Sequence, residues 1–171
     1  MNTFGIELEV HIASLRRYAR ALVRQPSDAD DLVQETLARA LSRADKFVAG
    51  TNLRAWLFTI MHNLYVNQVR SRASRPREVP IDDVVEARLG EPAGQEAWVE
   101  LGEMMRVLDA LPEEQRQVLL LVALEGMKYE EAAKVLEVPV GTVMSRLSRA
   151  REAVRVRMAG GVAPMALRRV K

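Results

Sequence analysis

Apolar residues in the first seventy positions recur at intervals of three and four, the spacing of a helix with one buried face. The first such stripe consists of Leu8, Ile12, Leu15, Ala19 and Leu22. A second helix is predicted after Pro26, where Ser27 and Asp30 have the spacing of an N-terminal cap. Its apolar face is predicted to consist of Leu32, Val33, Leu37, Ala40 and Leu41.

A third and longer helix is predicted after the turn formed by Gly50, Thr51 and Asn52, and it ends in arginines. Its apolar face is predicted to consist of Leu53, Trp56, Leu57, Ile60, Leu64 and Val66. Because Trp56 is in register with that stripe, core packing is its expected role.

The second half of the chain begins with another stripe, formed by Leu101, Met104, Met105, Leu108 and Leu111. Pro112 can occupy the first turn of a helix predicted over 112–124, and Gly126 is predicted to end it. Residues 128–151 then have the spacing of a helix-turn-helix. Small Ala133 would let the two helices cross closely, while Val138 and Val143 would close the core between them.

The second helix of this unit has an apolar face and a polar face. Val143, Leu147, Ala150 and Val154 define the predicted buried side. The hydroxyl and guanidinium groups that point away from it belong to Thr142, Ser145, Arg146 and Arg149. Such groups can bind base edges and phosphates, so the pattern favours DNA recognition over an amphipathic helix with a solvated arginine face.

A change in the sign of the charge, together with several prolines and glycines, predicts a domain boundary between the halves. Arg70, Arg72, Arg75 and Arg77 precede a mostly acidic stretch that contains several prolines and glycines. The fold is therefore predicted to be all-α, with two small helical domains over 1–73 and 96–160, the second containing the helix-turn-helix. A flexible linker is predicted over 74–95, with at most a short helix at 81–89, and a disordered basic tail over 161–171.

Composition excludes several classes of protein. The 171 residues include no cysteine and only two histidines, which excludes disulfides and leaves too few ligands for a histidine-built metal site. No secretory signal or apolar run of membrane-spanning length is present, so a cytoplasmic protein without direct membrane insertion is expected. No nucleophile, phosphate-loop or metal pattern appears, and neither catalysis nor a cofactor is predicted.

Several motifs resemble a known family. Residues 31–35 read DLVQE and precede a helix with Trp, Phe and Tyr, which resembles the second conserved region of bacterial sigma factors. Residues 108–112 (LDALP), 129–133 (YEEAA) and 139–143 (PVGTV) are similar to the fourth conserved region. The resemblance is to the extracytoplasmic-function group of the sigma-70 family and covers most of 8–158. Met144 departs from the arginine or lysine common there, and Glu137 from the glycine common in helix-turn-helix units.

This resemblance implies roles for residues of the first domain. The acidic and amide side chains that would dock on the clamp helices of the RNA polymerase largest subunit are those of Asp30, Asp31, Gln34 and Glu35. Stabilisation of the helix start is the alternative for Asp30. The turn 47–53 and the following helix would capture a flipped base of a minus-ten element and read its neighbours. The side chains assigned to that task are Asn52, His62, Asn63, Asn67, Arg70 and Arg72.

The function implied is that of a sigma factor, a noncatalytic subunit that directs core RNA polymerase to promoter DNA. Thr142, Ser145, Arg146 and Arg149 would read a minus-thirty-five element, and the second domain would also meet the flap of the second-largest subunit. An anti-sigma factor is an expected partner. The alternatives are a sigma-like mimic that titrates an anti-sigma factor and a helix-turn-helix regulator, although the latter leaves the acidic and aromatic surfaces of the first half unexplained.

Overall fold

A computed structural model describes residues 3–73 and 95–160 and consists of seven α-helices over those ranges. The first half contains α1 (Thr3–Leu22), α2 (Pro26–Ser42), a 3₁₀ turn (Ala44–Lys46) and α3 (Leu53–Ala73). The second half contains α4 (Gln95–Asp109), α5 (Glu113–Leu119) with a π-helical turn (Leu120–Leu124), α6 (Tyr129–Leu136) and α7 (Val140–Met158). The described ranges contain no strand, which confirms the all-α prediction. The predicted linker up to residue 94, its short helix and the 161–171 tail lie outside these ranges.

The core of the first half is built where α1, α2 and α3 meet. Leu15, Leu32 and Leu57 are fully buried there. Tyr18 packs edge-on against Phe58 with ring centroids 5.2 Å apart, a favoured geometry for aromatic pairs. The core is thus formed by side chains from all three helices.

Two details of the apolar faces predicted for the first half are wrong. Leu41, assigned to the buried face of α2, is 56% exposed near the end of that helix. The stripe predicted for α3 omits Phe58, Met61 and Tyr65, all of which are buried. The buried arc of α3 is wider than one stripe because the helix contacts both α2 and the second half of the chain.

The helix starts also differ from the prediction. The N-cap of α2 is Gln25, which has extended backbone and makes no side-chain capping bond, so Ser27 does not cap this helix. Pro26 takes the first helical position because its fixed φ suits a first turn and its missing N–H needs no partner. By contrast, Asn52 caps α3: its Oδ1 accepts a hydrogen bond from the Ala55 N–H at 3.0 Å.

The second half contains the predicted helix-turn-helix, formed by α6 and α7. Ala133 and Val143 are buried and Val138 is half-buried, as their five-residue spacing predicts. Pro112 precedes α5 as its N-cap and is not in the first turn. Leu101 was predicted to be buried, but it is 42% exposed on α4.

Residues with positive φ follow three helices of this half, and Gly160, with φ of +77°, is the one after α7. Gly126, with φ of +64°, follows the π-helical turn, as predicted for the helix end. Glu137 adopts φ of +55° after α6, where glycine would be unstrained. Two bonds complete a Schellman motif there: the Val138 N–H donates to the Ala133 carbonyl at 3.1 Å, and the Glu137 N–H to the Lys134 carbonyl at 3.3 Å.

The two halves are in direct contact. α3 packs against α6, and α1 packs against the π-helical turn. The Arg116 guanidinium of α5 donates to the Tyr65 hydroxyl of α3 at 3.2 Å. Arg24, just after α1, donates to the Asp109 carbonyl at the end of α4 at 3.4 Å. The helix-turn-helix is therefore held against one side of the first half.

Candidate nucleic-acid and partner interfaces

The exposed side of α2 carries the residues predicted to dock on a partner. Asp31, Gln34 and Glu35 are exposed, as the prediction requires. Asp30 is half-buried and lies 3.8 Å from the Arg20 guanidinium, so its charge is partly compensated within the chain. Glu35 pairs with Arg39 one turn later, a surface interaction worth only a few tenths of a kcal/mol.

An exposed polar face of α3 carries three of the predicted minus-ten residues. Asn63, Asn67 and Arg70 all lie on the surface, one turn apart along the helix. Arg72 is also exposed, but its guanidinium donates to the Asp28 carboxylate of α2 at 2.6 Å. The amides are thus open to a ligand, while Arg72 already has a partner.

The α2 and α3 surfaces meet in one groove. Its walls include Asp31 and Glu35 from α2, and Asn67 and Arg72 from α3. The predicted polymerase-docking and minus-ten surfaces are therefore neighbours, which the sequence alone did not show. The Asp28–Arg72 ion pair is part of the lining of this groove.

His62 does not share the face of Asn63 and Asn67. It is half-buried on the side of α3 that is turned towards the second half. Burial lowers its pKa from the ordinary value, and the carboxylate of Glu137 opposes that shift. Neighbouring residues on a helix point about 100° apart, which is why adjacency in sequence did not place His62 on the Asn63 face.

The loop before α3 is tightly turned and lies beside an aromatic cluster. Gly50 has φ of +85°, and the Thr51 hydroxyl and N–H both donate to the Val48 carbonyl, at 2.7 and 3.1 Å. Phe4, Phe47 and Trp56 form the cluster, with ring centroids 5.3–6.2 Å apart. Packing in this cluster agrees with the core role predicted for Trp56.

Asn52 has both ends of its amide engaged. While its Oδ1 caps α3, its Nδ2 donates to the Glu131 carboxylate of α6 at 2.7 Å. Asn52 was predicted to lie at a base-capturing turn, and its capping role was not predicted. An asparagine immediately before an amphipathic helix was the signal that could have revealed it.

The predicted base-reading residues of α7 are unequally available. Ser145 and Arg149 are exposed, and Thr142 is half-buried. The Arg146 side chain is only 21% exposed, and its guanidinium lies 2.9 Å from the Glu114 carboxylate of α5. Arg149 is therefore the predicted arginine that is open to DNA in this conformation.

The same helix has further exposed residues that the sequence analysis did not assign to a site. Met144 is 52% exposed, and Ser148 and Arg151 are exposed on the same side. Together with Tyr129 of α6 they line an open groove along α7. Their spacing of four and three residues was the available signal.

Two structural findings concern membrane-spanning helices and metal-ion sites. Among the residues that the structure describes, no helix is long and apolar enough to cross a membrane. The same ranges contain no group of three or more acidic, histidine or cysteine side chains placed to hold a metal ion.

Comparison with known proteins agrees with the two-part organisation. The family model for the Sigma2 domain of PhyR matches residues 8–62, and the model for Sigma-70, region 4, matches residues 101–154. The ECF RNA polymerase sigma factor EcfG of Rhodopseudomonas palustris is 46% identical over 141 residues, which cover 82% of this chain and 76% of that protein. The chain belongs to the ECF RNA polymerase sigma factors.

Other members and solved structures extend this result. The ECF sigma factor SigC of Mycobacterium tuberculosis is 35% identical over 88% of this chain and 82% of its own length. The sigma factor RpoE of Bartonella quintana, solved in complex with the anti-sigma factor NepR, superposes with a TM-score of 0.78 at 32% identity, covering 93% of this chain and 98% of that one. As an ECF sigma factor, the chain directs RNA polymerase to promoters, which confirms the function and family predicted from the motifs.

Proposed function

We propose that this sigma factor contacts polymerase and promoter through three surfaces of its two domains, of which the two in the first domain adjoin in one groove. The exposed side of α2 docks on the clamp helices of the largest polymerase subunit. The loop 47–52 and the Asn63–Arg70 face of α3 open and read the minus-ten element, and α7 reads the minus-thirty-five element through Ser145 and Arg149. The observation that best supports this proposal is the groove in which acidic α2 residues and α3 amides lie side by side.

We propose that these surfaces bind polymerase and DNA and do not catalyse a reaction. The α2 surface is acidic and suits a basic protein partner, whereas Arg149 on α7 suits the acceptor groups of duplex DNA. The second domain would also contact the flap of the second-largest polymerase subunit. We place this function in the cytoplasm, with the polymerase.

Control by an anti-sigma factor is part of the proposal. NepR binds the similar RpoE of Bartonella quintana, and CnrH, 29% identical with a TM-score of 0.68, was solved with the cytosolic domain of CnrY. RpoE covers nearly the whole of this chain at 32% identity. We therefore expect a NepR-type protein to bind this sigma factor and to keep it from the polymerase.

A sigma-like mimic is the second candidate, since the first half matches the PhyR Sigma2 model. The PhyR–NepR complexes of Bartonella quintana and Sphingomonas share only the fold, at 17% and 23% identity. A mimic would bind the anti-sigma factor but would not support transcription, and a plain helix-turn-helix regulator would not bind core polymerase.

Run-off transcription on genomic fragments, with core polymerase alone and with the full chain added, tests the proposal. New initiation sites are expected only with the chain.

The double variant Gln34→Ala, Glu35→Lys should lose binding to core polymerase, because juxtaposed like charges at a docking surface cost several kcal/mol. Glu9→Lys, a charge reversal at an exposed site on α1, is the matched control and should bind normally.

Two results would contradict the proposal. Absence of new initiation with a folded chain would favour the mimic. Normal co-purification of the double variant with core polymerase, at wild-type helical content, would remove α2 from the docking surface.

A further inference from the structure

A buried carboxylate of the second half is held by two arginines of the first half. None of the Glu125 side chain is exposed. The Arg17 guanidinium of α1 donates a hydrogen bond to each carboxylate oxygen, from Nε to Oε1 at 2.9 Å and from Nη2 to Oε2 at 2.8 Å. Arg54 of α3 donates from Nη2 to the same Oε2 at 2.8 Å. Three charge-assisted bonds thus join the halves at one carboxylate.

Local structure holds both sides of this contact in place. The π-helical turn closes through the Glu125 N–H, which donates to the Leu120 carbonyl at 3.0 Å, and Gly126 then ends the helix. Arg54 also donates to the Glu125 carbonyl at 2.5 Å, and its guanidinium lies over the Phe58 ring at 5.5 Å. The backbone and the side chain of Glu125 are therefore both bound to the first half.

The same interface covers the start of α3. Two residues before Arg54, the Asn52 amide donates to Glu131 in the first turn of α6. Further along α3, the Tyr65 hydroxyl accepts a bond from Arg116. The loop proposed to capture a minus-ten base therefore lies within hydrogen-bond distance of the helix-turn-helix.

This proximity conflicts with simultaneous promoter contacts. The two elements are separated by about 25 base pairs, or ~85 Å of duplex at 3.4 Å per step. A compact chain of 171 residues has a radius of gyration of only ~16 Å. The closed arrangement therefore cannot place the loop 47–52 on one element and α7 on the other.

We propose that Glu125, gripped by Arg17 and Arg54, is an autoinhibitory latch that keeps the free sigma factor closed, with the minus-ten loop held against α6. Opening the latch separates the halves and frees Asn52 for DNA. This inference rests on the promoter roles proposed above, but the latch itself can be measured without DNA or polymerase.

Glu125→Gln is the sharpest variant. It keeps the size of the side chain but presents an amide N–H₂ to the donor fork of Arg17, so that donor faces donor. The carboxylate is buried, whereas the side chains of Arg17 and Arg54 are 51% and 29% exposed, so water can take over part of their solvation once the charge of Glu125 is removed. The variant still loses the charge that all three bonds share, and we expect the open population to rise by about tenfold. Glu130→Gln removes the same charge from an exposed site on α6 and is the matched control.

Intramolecular energy transfer reports the latch directly. The chain has no cysteine, so dyes can be attached to cysteines introduced at exposed Ala38 of α2 and exposed Ala159 after α7. High transfer is expected for the otherwise unchanged chain and for Glu130→Gln, and low transfer for Glu125→Gln. Wild-type transfer in Glu125→Gln, at native helical content, would overturn the latch.

Arg17→Ala provides a second, independent variant from the other side of the contact. It should also lower the transfer, and combining it with Glu125→Gln should add little, because both changes break the same interaction. Fully additive effects on the open population would show that the two residues act separately and would contradict the latch.

Binding of a single-stranded minus-ten oligonucleotide, followed by fluorescence anisotropy without polymerase, links the latch to function. The oligonucleotide takes its sequence from the promoters mapped by run-off transcription. Glu125→Gln should bind it about tenfold more tightly than the wild type, a change equivalent to about 1.4 kcal/mol. If neither protein binds it, the proposed role of α3 fails, while energy transfer still decides whether the latch exists.

Discussion

The two helices proposed to meet DNA, α3 and α7, differ in how much of their surface the rest of the chain already uses. α7 is buried along one narrow side, formed by Val143, Leu147 and Ala150, and the remainder faces outwards. α3 is buried more broadly, and its N-cap Asn52 and the first-turn residue Arg54 each donate to a carboxylate of the second half. The surface for duplex DNA is thus available in the closed chain, whereas the surface for strand opening is partly occupied.

This difference suggests an order of events. The exposed residues of α7 need no rearrangement to meet a minus-thirty-five element. If the loop before α3 captures a minus-ten base as proposed, it must first part from α6, and strand opening would then depend on separation of the halves. The α2 docking surface stays exposed in the closed chain, which leaves core polymerase free to bind before that separation.

The largest loss of stability is expected from a substitution on the buried side of α3. Phe58 is 1% exposed, packs against Tyr18 and lies beneath the Arg54 guanidinium. Phe58→Ala should lower the free energy of unfolding by about 3–5 kcal/mol, since it leaves a cavity in the core of the first half. Urea denaturation followed by circular dichroism measures this loss.

Val10→Ala on α1 is the control for that measurement. Val10 is 76% exposed, so its truncation should change the free energy of unfolding by less than about 0.5 kcal/mol. Similar losses in the two variants would mean that the Phe58 side of α3 is not buried in the core of the first half.

A smaller effect is expected on the exposed side of α7. Arg149→Ala should weaken binding to minus-thirty-five duplex by about 1–3 kcal/mol if the guanidinium reads a base, and should leave stability unchanged. Competition with scrambled duplex separates base reading from a phosphate contact, which would weaken binding to all sequences equally. Arg16→Ala, at an exposed site on α1, is the control. Unaltered affinity and selectivity in Arg149→Ala would move the reading surface elsewhere on α7.

The smallest effect concerns the turn between the helices of the helix-turn-helix. Glu137 has φ of +55°, which costs a non-glycine residue about 1 kcal/mol, so Glu137→Gly should raise the free energy of unfolding by roughly that amount. Lys134→Gly, at an exposed helical site on α6, should lower it by about 1 kcal/mol. Thermal unfolding of the two variants shows whether each substitution raises or lowers the free energy of unfolding. A loss of stability in Glu137→Gly would show that its side chain contributes more than its backbone costs.

The three- and four-residue spacing of the apolar residues was sufficient to predict the helices and much of the core. The all-α class, the helix-turn-helix and the exposed positions of Asn63, Asn67 and Arg149 follow from repeats of three and four residues and from the turns at Gly126 and 137–139. These features are local, because each depends on residues within one or two turns of one another. The departure of Glu137 from glycine was also visible, although only the structure shows its left-handed backbone.

Contacts between the halves could not be predicted from periodicity. Arg17, Arg54 and Glu125 are separated by up to 108 positions, and no pattern within one helix indicates that they meet. The contact of α3 with the second half is also the reason that His62 was placed on the wrong face. Phe58 was left out of the predicted stripe because its contact with Tyr18 of α1 is not visible in the periodicity of α3. The Ser27 cap failed for a local reason, since Pro26 took the first helical position.

Permanganate footprinting of Asn63→Ala with core polymerase is the most direct test of the account. On linear promoter DNA the wild type should render thymines near the minus-ten element reactive, and Asn63→Ala should reduce that reactivity while its binding to polymerase and duplex is retained. A premelted template should restore reactivity if Asn63 assists opening alone. Wild-type reactivity of Asn63→Ala on the linear template would contradict the claim that the exposed face of α3 opens the promoter.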